Sequence, residues 1–229
     1  MAEVRPPCFA RDFHKLTGVA DIVQNLDRQA AIKSGVRVEA FTVGWMAVEA
    51  IVAIGAGVMA RSVLLTAFGF DSVIELLSGA AVYWRLRVES HGADAAGVNQ
   101  AERLVEKISA VLLGLLCIYV LVTSIAGLLG RLQPEGSVVG LLVAAAAVGV
   151  MSLLAMRKRI LNRTIDSDAL RSDIVETLTC AYMAGATLIG VGLNLFLHWW
   201  WADYVAALAL LFWLVQETRE AIEAARSKA

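Results

Sequence analysis

Asp71 and Glu75 stand four residues apart in the stretch GFDSVIELLSG. At 3.6 residues per turn both carboxylates project from one face of a helix. Two like charges at that spacing repel, so helix stability does not account for them. A cation held between them, or a shared proton, does. A second pair lies in DALRSDIVETLTCAYMAG, where Glu176 and Cys180 repeat the same four-residue spacing and Asp173 precedes Glu176 by three. A thiolate and a carboxylate one turn apart supply half of a tetrahedral site for a borderline-soft divalent ion such as Zn²⁺. A free cysteine is also a common small core residue, so Cys180 alone would carry little weight. Its register with Glu176 adds to it. Asp173 reads as a residue at the mouth of the site or as a helix cap. Glu49, inside GWMAVEAIVAIGAG, could orient a ligand, relay protons or bond a neighbouring hydroxyl.

These acids sit in apolar surroundings. Of the 229 residues 59% are hydrophobic and 18% charged, and the mean hydropathy is +0.68; soluble domains run near 45–50% apolar and about 25% charged. A helical crossing of the bilayer needs roughly 20 mostly apolar residues. Stretches of that kind are predicted at Val38–Ala60, Val63–Trp84, Leu104–Leu129, Val138–Met156 and Ala169–Trp199, with a shorter sixth at Ala202–Val215. No run alternates with period two, which argues against a β-barrel. The expected fold is all-α: a polytopic membrane protein, a six-transmembrane-helix bundle. Residues 1–36 would form a cytoplasmic N-terminal segment whose part 20–36 is amphipathic. Residues 37–217 would form the membrane domain, and 218–229 a short cytoplasmic tail.

Basic residues orient such a bundle, because Lys and Arg accumulate on the cytoplasmic side. With six spans only Arg61 and Arg131 of the 20 fall on the outer side, so both termini are expected in the cytoplasm. The inner loops are expected at 85–103 and 157–168, the latter holding Arg157, Lys158 and Arg159. The interiors of the spans hold no Lys or Arg to neutralise the acids. A carboxylate deep in the bilayer costs several kcal/mol unless paired, and is read as functional. Asp203, after the Trp199–Trp201 triplet, reads as an N-cap of the sixth span. His14 and His91 fall outside the spans and His198 at the end of the fifth, without metal-ligand spacing to one another.

The net charge of −1 shows no basic footprint for nucleic acid. Cys8, Cys117 and Cys180 are too scattered for a disulfide framework, and the N-terminus has no apolar signal-peptide core. G-x-x-x-x-G-K-[ST], H-E-x-x-H and G-x-S-x-G are absent, which disfavours a nucleotide-driven pump and a hydrolase. The protein is expected not to be an enzyme.

Paired i, i+4 ligands in the second and fifth of six spans resemble the cation diffusion facilitator family of divalent-metal transporters. LTAFGFDSVIELLSG is similar to that family's second span, where Asp-x-x-x-Asp or His-x-x-x-Asp follows small residues. DALRSDIVETLTCAYMAGATLIGVGLN is similar to its fifth, where a Leu-x-x-Asp lead precedes His-x-x-x-Asp, and WWADYVAALALLFWLV to its sixth. Glu75 replaces Asp, Glu176 stands where His is usual and Cys180 where Asp is usual. The resemblance implies a metal site of Asp71, Glu75, Glu176 and Cys180, without imidazole. It also implies a compact branch lacking the family's C-terminal cytoplasmic domain. A homodimer would then form within the membrane, where Gly185, Gly190 and Gly192 allow close helix contact or pack within one bundle.

The expected activity is export of a divalent metal cation, Zn²⁺ foremost, from the cytoplasm in exchange for protons. The partners would be the ion, protons and membrane lipid, with no permanently bound cofactor. The expected location is the cell membrane, or the inner membrane of a Gram-negative cell. Acids Asp166, Asp168 and Asp173 would attract cations at the inner mouth. Two rival readings use the same residues: a membrane metal sensor or accessory protein that binds without transport, and a proton-coupled carrier of an organic cation.

Overall fold

The computed structural model describes residues 8–90 and 96–227, and of these it leaves out the side chains of 8–25, 96–103, 105–106, 168–169, 221 and 224–227. Six helices make up the described chain: α1 (Cys8–Ala60), α2 (Val63–Ser90), α3 (Ala96–Leu129), α4 (Val138–Ile165), α5 (Asp168–Leu197) and α6 (Trp200–Ser227). Helices α1 to α5 are long and apolar enough to cross a membrane. Together they make this a multi-pass membrane protein. Helix α6 opens with Trp200, Trp201 and Asp203 and turns polar again at Gln216.

The turns expected on the outer side fall where the apolar runs end, at Arg61–Ser62, 130–137 and 198–199. Arg61, Arg131 and His198 stop their helices in left-handed conformations, with φ of 52°, 49° and 56°. Such residues close the last helical carbonyls; the His198 amide bonds back to the Asn194 carbonyl at 3.1 Å. Ser137 starts α4 by accepting from the Gly140 amide.

The inner loops are shorter than expected. Helix α2 continues to Ser90, α3 begins at Ala96, and α4 runs to Ile165. Apolarity marks where a helix leaves lipid, but hydrogen bonding within the chain lets it continue into water. Segment 20–36 is likewise the lower part of α1, whose 53 residues extend about 80 Å at ~1.5 Å per residue, far beyond a ~30 Å hydrocarbon core.

Helix α2 is the hub, packing on α1, α3, α5 and α6. Its most apolar stretch is 67% buried, against 28–39% for the other four spans. Lipid takes the place of protein on the outer faces: Val111, Leu115, Ile118, Val122, Ile125 and Leu129 of α3 are exposed at three- and four-residue spacing. Two close approaches need glycine. A Cβ at Gly69 would stand 2.7 Å from the Ile54 nitrogen of α1, and one at Gly190 would collide with Leu64 and meet the Ala206 Cβ at 2.9 Å. Gly190 therefore packs within one bundle, between α5, α2 and α6. An apolar cluster of Ile32, Val82, Leu86, Ile165, Leu170 and Ile174 joins α1, α2, α4 and α5 at the inner end.

Candidate metal site

On α2, Asp71 is 1% exposed and Glu75 4%. None of their four carboxylate oxygens has a hydrogen-bond partner among the described residues. Buried carboxylates are ordinarily bonded or paired. Orphaned oxygens on adjacent turns of the most enclosed helix mark a place built for something other than packing.

Helix α5 brings Cys180, fully buried, next to Glu75 and within electrostatic reach of Asp71. Glu176, one turn nearer the inner end, is partly buried. It lies beside Ser78 of α2 and within reach of Asp71. The α2 and α5 pairs thus face one interior region. The donors are gathered there without being closed: among the described residues, no three His, Cys, Asp or Glu side chains stand near enough together to hold a metal ion.

Glu49 enters from α1, on a buried stripe that runs Glu39, Thr42, Met46, Glu49, Ala53 and Ala56. Its Oε1 accepts from the Ser72 hydroxyl at 2.9 Å and faces the Cys180 thiol at 3.7 Å. Its Oε2 accepts from the Trp45 indole at 2.6 Å. Both oxygens of Glu49 are thus engaged, one of them by Ser72 of α2 and Cys180 of α5 together.

Asp173 neither caps α5, whose cap is Ser167, nor stands open at a mouth. It is buried, with Oδ2 2.5 Å from the Lys158 ammonium, which also lies 3.0 Å from Glu39. The expectation of no Lys or Arg inside the bundle is therefore corrected at Lys158. Helix α4 persists past Met156, and on its inward face the lysine is fully buried. Asp166 ends α4 in a left-handed conformation and is exposed. The side chains of Asp168, Cys8 and His14, and all of His91, lie outside the described residues, while His198 is exposed.

Asp203 caps a helix, but not its own. From α6 it accepts from the Ser62 hydroxyl and from the backbone amides of Val63 and Leu64 at 3.0 and 3.2 Å, closing the start of α2.

Sequence reasoning overlooked three charged residues. Lys158 falls in the expected loop 157–168, and Glu39, second residue of the first expected span, is not singled out by its spacing. Glu217 on α6 was taken as the point where the last span gives out. It lies within electrostatic reach of Asp71, Glu75 and Glu176, and its Oε2 is buried without a partner among the described residues. A seven-residue repeat was the available signal. Asp203 and Leu210 are buried, and Glu217 follows Leu210 on the same face.

A family model described as the cation efflux transmembrane domain matches residues 41–227, from the outer part of α1 to the end of α6.

Proposed function

From the premise that this chain belongs to the cation efflux family, we propose that it exports a divalent cation, Zn²⁺ foremost, from the cytoplasm in exchange for protons. Transport of metal cations is the family's activity; the ion, the direction and the counter-ion are the proposal. The ion is held by Asp71, Glu75, Glu176 and Cys180. Glu49 fixes the thiol, and side-chain rotation closes the gathered donors around the ion. Three carboxylates supply charge to offset the ion's lost hydration, and the sulfur tilts preference toward softer ions.

The proposal rests chiefly on the four unbonded oxygens of Asp71 and Glu75 beside Cys180. Donors without protein partners are free to coordinate. Carboxylate and thiol ligands must be deprotonated to bind metal, so binding releases protons. Protons arriving from the other side then compete the ion off. Such exchange needs no nucleotide. Six crossings, with both termini in the cytoplasm, put 18 basic residues inside and Arg61 and Arg131 outside. Rocking of helices around a fixed site would open it to each side in turn.

Zinc flux into proteoliposomes carrying Asp71→Ala or Glu176→Ala tests the proposal. Loss of transport in both, with the protein folded, is expected. Wild-type flux in both variants would end it.

A further inference from the structure

Lys158 is 0% exposed. Its ammonium meets Oδ2 of Asp173 at 2.5 Å and Oε2 of Glu39 at 3.0 Å, and donates to the Thr177 hydroxyl at 3.2 Å. One amine thereby joins α1, α4 and α5. A purely structural buried ion pair is a weak source of stability, because desolvation offsets the attraction.

The cluster also holds more acceptor than one amine uses. Two carboxylates face a single positive charge, and Oε1 of the fully buried Glu39 has no bond among the described residues. Two carboxylates and a hydroxyl form an all-oxygen donor set, the kind that suits hard divalent ions. Its location gives the set a use. Asp173 precedes Glu176 by three residues on α5, about 4.5 Å along the axis. Lys158 and Asp173 both lie within electrostatic reach of Glu176.

We propose that Glu39, Asp173 and Thr177 form a second divalent-cation site beside the first, filled in the empty protein by the Lys158 ammonium and vacated when a metal ion arrives. Its place on a transport path rests on the reading of the neighbouring site; its capacity to bind does not. The long lysine stem lets the amine swing aside while its methylenes stay packed. A +2 ion taking its place could be matched by both carboxylates, where one ammonium needs only one of them ionised.

Counting bound Mn²⁺ by electron paramagnetic resonance on the purified protein in detergent provides the test. Lys158→Met removes the resident cation and is expected to bind one Mn²⁺ more than wild type at ion concentrations too low to displace the wild-type ammonium. The extra ion should disappear in Glu39→Gln/Lys158→Met and persist in Asp71→Asn/Lys158→Met. That last variant separates the two sites. Unaltered zinc binding in Asp71→Asn counts against the transport site and leaves this one standing. A folded Lys158→Met that binds as many Mn²⁺ ions as wild type at every ion concentration overturns the second site. Should Lys158→Met fold poorly, purification in Mn²⁺ is expected to restore it, and failure to fold with Mn²⁺ present also overturns the proposal.

Discussion

The Cys180 thiol on α5 lies 3.7 Å from Oε1 of Glu49 on α1, and the Ser72 hydroxyl of α2 donates to the same oxygen at 2.9 Å. One carboxylate thus holds three helices in register at the level of the site. The same contact leaves the buried sulfur close to two carboxylates, Glu49 and Glu75.

Cys180→Asp tests that aim. Replacing the sulfur with oxygens should move preference from Cd²⁺ and Zn²⁺ toward Mn²⁺. The Cd²⁺-to-Mn²⁺ flux ratio in proteoliposomes is expected to fall about tenfold, equivalent to ~1.4 kcal/mol of differential binding. An unchanged ratio would show that the thiol never touches the ion.

Asp71→Asn or Glu75→Gln should separate stability from binding. Neither carboxylate has a hydrogen bond to lose among the described residues, so the metal-free variants are expected to melt no lower than wild type. Wild type should gain stability from Zn²⁺, by about 2.7 kcal/mol at a hundred times Kd, and the variants should gain much less. Thermal unfolding with and without Zn²⁺ reads both effects. Equal zinc stabilisation of wild type and variants would remove both residues from the site.

Much of this arrangement was legible in the chain. Apolar runs placed the outer turns because a helix in lipid must stay apolar until it emerges. The four-residue spacings placed Asp71 with Glu75 and Glu176 with Cys180 because helix geometry leaves no alternative. What was hidden lay beyond the apolar runs. Nothing in the hydropathy of Arg157–Lys158–Arg159 says that the middle residue turns inward. That follows from the face α4 presents to α1 and α5, set by packing among residues far apart in sequence. Asp203 was legible as a cap, but its target, the start of α2, is 140 residues away.

Glu217 offers a third test. Its buried Oε2 lies without a partner among the described residues, within electrostatic reach of Asp71 and Glu75. Glu217→Gln keeps the shape and removes a negative charge from the site. Zinc affinity, titrated against a competing chelator, is expected to weaken about tenfold, or ~1.4 kcal/mol, with no loss of thermal stability. Wild-type affinity would place Glu217 outside the ion's field.

Asp203 provides the contrasting case, a buried acid whose work is structural. It is 1% exposed, and three donors at the start of α2 fully account for its carboxylate. The first amides of a helix have no partner within it, and a carboxylate there also suits the positive end of the helix dipole. Asp203→Ala should leave the Val63 and Leu64 amides without that acceptor. Each buried donor left unsatisfied costs roughly 1–3 kcal/mol, so the variant should melt well below wild type. Asp71 lies eight residues further along α2, about 12 Å at ~1.5 Å per residue. The protein that does fold should therefore bind Zn²⁺ with nearly wild-type affinity. Chelator titration alongside thermal unfolding distinguishes this from the alternative, in which Asp203 coordinates the ion, affinity collapses and the melting temperature of the metal-free protein holds.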